Sequence, residues 1–99
     1  MSEVLLYTKP WCFYCRRAKA LLESNGVRYD EIDVSFDPEV EREMIRKARG
    51  RTTVPQIFIG DRHVGGSDDL IALDRQGRLD KWLAGGDPAG KKNEEEEES

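Results

Sequence analysis

The stretch V-L-L-Y-T-K-P-W-C-F-Y-C-R-R-A-K-A-L-L-E-S-N-G, Val4 to Gly26, decides the fold class. Val4, Leu5, Leu6 and Tyr7 form an unbroken apolar run of strand length, the pattern of a strand covered on both faces. Thr8 to Trp11 breaks that run. From Phe13 onward, Tyr14, Ala18, Leu21 and Leu22 recur at three- and four-residue steps, with Arg16, Arg17 and Lys19 between them. Gly26 stands where a helix would end. The spacing predicts strand, loop and helix, with Cys12 and Cys15 at the junction.

Downstream, Val27 to Val34 reads as a weaker strand. Val27 and Tyr29 favour one face and Ile32 and Val34 the other, which predicts a slip in phase near Glu31. Asp37 followed by Pro38 is an N-cap and first helical residue, and Val40, Met44, Ile45 and Ala48 mark one apolar face. The acids Glu39, Glu41 and Glu43 come early and the bases Arg46, Lys47 and Arg49 late, which suits the helix macrodipole, before Gly50 ends the element. Val54 to Ile59 reads as a buried strand beginning at Pro55. Gly60 and Asp61 form a two-residue turn into Arg62, His63 and Val64, giving a hairpin. After Gly65 and Gly66, Ser67 is expected to cap a helix with Asp68 and Asp69 in its first turn and Leu70, Ile71 and Leu73 inward. Leu79, Trp82 and Leu83 give a last short helix. The order βαβ, helix, ββ, helix, helix implies an α/β fold. Its four-stranded mixed sheet, flanked by helices, has the first two strands parallel through a right-handed crossover and the last two antiparallel.

The 99 residues suffice for one domain, assigned to residues 1–84. No apolar run approaches the ~20 residues of a bilayer crossing. The 16 Lys and Arg against 20 Asp and Glu give −4, without the basic surplus of a nucleic-acid binder. That charge lies in the segment 85–99, where Asp87 and Glu94 to Glu98 outweigh Lys91 and Lys92, while residues 1–84 hold fourteen acids and fourteen bases. The tail lacks periodicity and apolar side chains, so it is expected to be a disordered acidic appendage that aids solubility. Two cysteines are too few for a secreted disulfide scaffold, and the first residues lack a signal-peptide pattern, so a reducing, cytoplasmic setting is expected.

C-F-Y-C between a strand and a helix, inside a βαβ unit, is the context of a redox pair. Cys12, ahead of the first turn, faces the unpaired N–H groups and positive dipole end, with Lys9 and Arg16 nearby, surroundings that favour a nucleophilic thiolate. Cys15, one turn deeper, is placed to attack a mixed disulfide on Cys12 and release the partner. A structural zinc site wants four ligands, and only His63 remains as a further donor, so no metal is expected. His63 reads as a strand surface residue, since thiol–disulfide exchange needs no separate base. Pro55 lacks an N–H and leaves the preceding backbone free to pair with an extended peptide, although a strand-starting proline has the same look. Gly66, Ser67 and Asp68 lead into a helix N-terminus suited to a carboxylate or phosphate, and capping alone explains Ser67 equally well. Lys9, Arg42, Arg46, Lys47 and Arg51 are candidates to hold anionic groups or are solvated charges. Trp11 is a contact surface or packing.

With K-P-W-C-F-Y-C, T-V-P-Q-I-F-I and G-G-S-D-D-L in this order, residues 3–83 resemble the glutaredoxins, closest to the small bacterial dithiol type. The resemblance implies a thioredoxin-like fold and reduction of glutathione mixed disulfides and protein disulfides at the expense of glutathione. It also implies clients such as glutathionylated proteins and ribonucleotide reductase, and a monomer. By similarity, Cys12 would take the glutathionyl group, and Lys9 and Tyr14 would line the tripeptide's site. Thr53 and Val54 would pair with its backbone before a cis Pro55. Gly66, Ser67 and Asp68 would receive its γ-glutamyl end, and a base on the second helix such as Arg42 would meet the glycine carboxylate. The commonest dithiol motif in the family is C-P-Y-C, and Phe13 replaces that proline here, restoring a backbone N–H. Members without the proline sometimes bridge a 2Fe–2S cluster between two protomers, which is the alternative reading. A third is an electron donor fed by thioredoxin reductase, against which G-G-S-D-D-L argues.

Overall fold

The computed structural model describes residues 2–86. The acid run and the rest of the assigned tail from residue 87 lie outside the described residues. Gly85 and Gly86, grouped with the tail by composition, close the C-terminal turn: the Gly86 N–H donates to the Lys81 carbonyl at 2.8 Å, and Arg62 donates to the Gly86 carbonyl at 2.7 Å.

Eight elements follow in the predicted order: β1 (Val4–Thr8), α1 (Phe13–Ser24), β2 (Asp30–Asp33), α2 (Pro38–Lys47), β3 (Gln56–Ile59), β4 (Arg62–Gly65), α3 (Ser67–Arg75) and α4 (Leu79–Leu83). The sheet order is β2-β1-β3-β4, with β1 and β2 parallel and the other neighbours antiparallel. No helix among the described residues is long and apolar enough to cross a membrane.

Both faces of the sheet are covered, which explains the unbroken apolar run of β1. Because side chains alternate along a strand, Val4 and Leu6 join Ile57 and Ile59 in one core with Ala18 and Leu22 of α1, Leu70 and Leu73 of α3, and Leu79 and Leu83 of α4. Tyr7 and Phe58 face the other way, against Val34 and against Met44 and Ala48 at α2. Burying a side chain such as Leu22 contributes about 1.5–3 kcal/mol. The same alternation corrects the expected slip near Glu31. Val27 and Tyr29 pack on the first core and Ile32 on the second, and the register from Leu5–Asp30 to Thr8–Asp33 runs without a shift. Odd and even positions serve opposite faces, so no slip is needed.

Two further boundaries differ from expectation. β3 begins at Gln56, because Pro55 has no N–H for the ladder, and the Val54–Pro55 peptide bond is cis. Ser67 does not cap α3: Gly66 is the N-cap, Ser67 is the first helical residue and is buried, and the Asp69 carboxylate accepts the Gly66 N–H at 2.9 Å. Gly66 has no side chain to accept the first helical N–H groups, and the Asp69 carboxylate at the third helical position supplies the return bond of a capping box, onto the N-cap N–H. At α2 the cap is the expected one, with Asp37 Oδ1 accepting the N–H groups of Glu39 and Val40 at 3.2 and 3.3 Å.

Candidate active site

The loop leaving β1 is short and turns through Trp11, whose φ of 60° lies in the left-handed region that few non-glycine residues adopt. Its indole is 91% exposed. Cys12 follows as the N-cap of α1, in extended conformation, and its sulfur fills the place usually taken by a Ser or Asp oxygen. The Cys15 N–H donates to Cys12 Sγ at 3.1 Å, and the Cys12 thiol donates to the Val54 carbonyl at 3.8 Å. Cys12 is half-buried and Cys15 fully buried, and both are free thiols. Burial, helped by the hydrogen bond to Cys12, pushes the Cys15 thiol up to about 12, while a backbone hydrogen bond with Lys9 works in the opposite direction. The two sulfurs are therefore unlike: one is a reachable sulfur at a helix start, the other a protonated thiol beneath it.

The Thr53-Val54-Pro55 segment arrives beside Cys12 from across the sheet. Pro55 is buried, and its carbonyl adjoins Gly66, where an added Cβ would come within 3.6 Å of it. Cys12, Val54, Pro55 and Gly66 thus form one continuous wall from the head of α1 to the head of α3. Gly65 precedes it with φ 121°, and a Cβ there would lie 2.8 Å from a guanidinium nitrogen of Arg51. Arg51 is paired with Asp69 at 3.3 Å, so the base considered for an anion is already matched.

Other candidates fall differently. Lys9 pairs with Glu41 of α2 at 3.4 Å, tying the Cys12 loop to that helix. Tyr14 is exposed and meets Phe13 edge to face at 6.0 Å. Asp68 is exposed at the start of α3. Arg42 and Arg46 are exposed on α2, whereas Lys47 donates to the Tyr7 hydroxyl at 3.1 Å and lies over the Tyr7 and Phe58 rings. Lys47, exposed like them, caps an aromatic pair.

Sequence reasoning passed over Gln56 and set His63 aside. Gln56 is fully buried and bridges Thr53 to His63, and the His63 ring stacks on Phe58 at 4.8 Å. Burial, reinforced by the Arg51 charge, holds the His63 imidazole below its ordinary value. The signal available in the sequence was a polar residue inside the otherwise apolar P-Q-I-F-I. Among the described residues, no group of three or more His, Cys, Asp or Glu side chains could hold a metal ion.

Comparison with known proteins bears on this geometry. The family model described as glutaredoxin matches residues 4–64. A glutaredoxin of Pseudomonas aeruginosa is 55% identical over 84 residues, covering 85% of this chain and 99% of that protein. The solution structure of glutaredoxin from Brucella melitensis superimposes with a TM-score of 0.75 at 54% identity, covering 84% of this chain and 89% of that one. A buckwheat glutaredoxin–glutathione complex gives a TM-score of 0.76 at 30% identity, covering 85% and 78% respectively. The thioredoxin-like fold, the C-x-x-C pair at the head of α1 and these similarities agree, and the chain belongs to the glutaredoxin family of oxidoreductases.

Proposed function

We propose that the protein reduces glutathione mixed disulfides and protein disulfides with glutathione as the reductant. The observation that carries this reading is the position of Cys12 Sγ, reachable at the start of α1, 3.1 Å from the Cys15 N–H and beside the Val54-Pro55 backbone. A helix N-terminus stabilises negative charge on sulfur, the form that attacks a disulfide. In the first step Cys12 thiolate displaces the client sulfur of a glutathionylated protein, forming a Cys12–glutathione disulfide, and the client leaves as a thiolate that takes a proton from solvent. A second glutathione thiolate then attacks the glutathionyl sulfur, regenerating Cys12 and releasing oxidised glutathione. For a protein disulfide, the Cys15 sulfur attacks Cys12 in the mixed disulfide after losing its proton, and the resulting Cys12–Cys15 disulfide is reduced by two glutathiones.

In this reading Lys9, Tyr14, Thr53, Val54, Pro55, Gly66, Ser67 and Asp68 form the glutathione site. The backbone of Thr53 and Val54 pairs with the tripeptide, and the head of α3 receives its γ-glutamyl end. The glutathione named with the buckwheat relative supports this ligand. Glutathionylated and disulfide-bearing proteins, ribonucleotide reductase among them, are the clients, and the domain works as a cytoplasmic monomer. The test is glutathione-dependent reduction of a small mixed disulfide, coupled to glutathione reductase. Turnover is expected in the intact protein and in Cys15→Ser and absent in Cys12→Ser. Absence of turnover in the intact protein would overturn the reading.

A further inference from the structure

Among the described residues, Thr52, Thr53 and Val54 make no main-chain hydrogen bond to another main-chain group: the 51–54 stretch joins α2 to the sheet, and the ladder of β3 starts at Gln56. Two side chains hold this stretch instead. The Val54 carbonyl accepts the Cys12 thiol, and the Thr53 carbonyl accepts the Gln56 Nε2 amide at 2.9 Å, with Thr53 Oγ1 also 3.2 Å from that nitrogen. Gln56 is completely buried, so its carboxamide has no water to fall back on. Its orientation follows from the partners. Because the amide nitrogen must face the Thr53 carbonyl, Oε1 must face His63 Nε2, 2.7 Å away, and that ring nitrogen must carry the proton. The His63 ring is in turn pinned by stacking on Phe58.

We propose that Gln56 is a positioning residue for disulfide exchange. Clamped by His63, it fixes the Thr53–Val54 backbone so that its unpartnered groups are aimed at the peptide backbone of the disulfide substrate beside Cys12. The substrate in this statement rests on the glutathione reading above, whereas the clamp rests on geometry alone. Gln56 touches neither sulfur, and its action is on the binding of the peptide part of the substrate.

The experiment compares the intact protein with Gln56→Met, which keeps the volume and removes both hydrogen-bonding groups. It also includes His63→Phe, which keeps a ring on Phe58 and removes the donor, and His63→Gln, which restores a donor. The KM for a glutathionyl mixed disulfide is expected to rise about fivefold in Gln56→Met, the worth of one net hydrogen bond. kcat and the rate of Cys12 alkylation by iodoacetamide, a reagent with no peptide backbone, are expected to change less than twofold. His63→Phe is expected to give a smaller rise in KM that His63→Gln reverses. An unchanged KM in both Gln56→Met and His63→Phe, or a loss of kcat and alkylation rate in parallel with KM, would overturn the proposal. Should the intact protein neither turn over the mixed disulfide nor bind S-methylglutathione, the glutathione reading fails by itself. Backbone amide NMR order parameters at residues 52–54 then decide the clamp, with lower values in both variants supporting it and unchanged values refuting it. If Gln56→Met does not fold, the His63 pair decides the question alone.

Discussion

Cys15 makes the stability of this protein sensitive to alkali. Its thiol, 2% exposed, is pushed by burial from 9.0 to about 12. The unfolded chain gives up this proton near 9.0, while the folded chain keeps it to about 12. In that window the folded state binds more protons, so stability declines as pH rises; below it the contribution is fully present. The decline attributable to this one group is up to about 1.4 kcal/mol per pH unit, amounting to about 2.5 kcal/mol by about pH 11. Lysines and tyrosines also titrate there, so the comparison is with Cys15→Ala, which lacks the thiol and shares every other group. Urea unfolding of both proteins under reducing, anaerobic conditions, from about pH 8 to about pH 11, is expected to show the wild-type midpoint falling relative to the variant by about 1–2 M. Parallel pH profiles for the two proteins would refute the assignment of a protonated, buried Cys15 thiol. The same asymmetry predicts that iodoacetamide labels Cys12 and spares Cys15 in the folded protein at neutral pH, as peptide mapping would read out.

Two backbone features give further tests by urea unfolding. Gly65→Ala sets a Cβ 2.7 Å from the Asp69 carboxylate carbon and 2.8 Å from Arg51 at φ 121°, and is expected to lose about 1–3 kcal/mol. A loss below half a kcal/mol would contradict the crowding. Asp37→Ala removes the acceptor of two N–H groups at the start of α2 and is expected to lose about 1 kcal/mol, whereas Asp37→Asn retains most of the stability.

Much of the fold was legible because single residues mark its boundaries. Asp37-Pro38 starts α2, Gly50 follows its end at φ 95°, and Gly26, at φ 69°, closes α1. The Gly60-Asp61 turn fixes the pairing of Ile59 with Arg62. Less legible were features that depend on which of two adequate groups wins. Ser67 is a favoured capping residue, yet Asp69 lies one turn on and reaches the Gly66 N–H, leaving Ser67 inside the helix. At β2 the two pairs Val27, Tyr29 and Ile32, Val34 suggest a broken phase only when one face is taken as polar; a sheet covered on both sides accepts both. The Cys12–Cys15 pair was evident from spacing and context. The bridge from Thr53 through Gln56 to His63 was not, because it spans a loop and a hairpin whose register shifts between Ile57 and Phe58. No sequence period connects residues 53, 56 and 63.

The two tryptophans stand in contrasting surroundings. Trp11 projects into solvent next to Cys12, whereas Trp82 is half-buried under the Arg62 guanidinium, 4.9 Å from its ring centre. Their emission is expected to be separable, with Trp11 red-shifted and open to acrylamide or iodide quenching and the half-buried Trp82 less so. A molecule that settles against Cys12 covers the first indole and leaves the second untouched. The chain thus carries an indole beside Cys12 that is expected to report, by stopped-flow fluorescence, on whatever binds there.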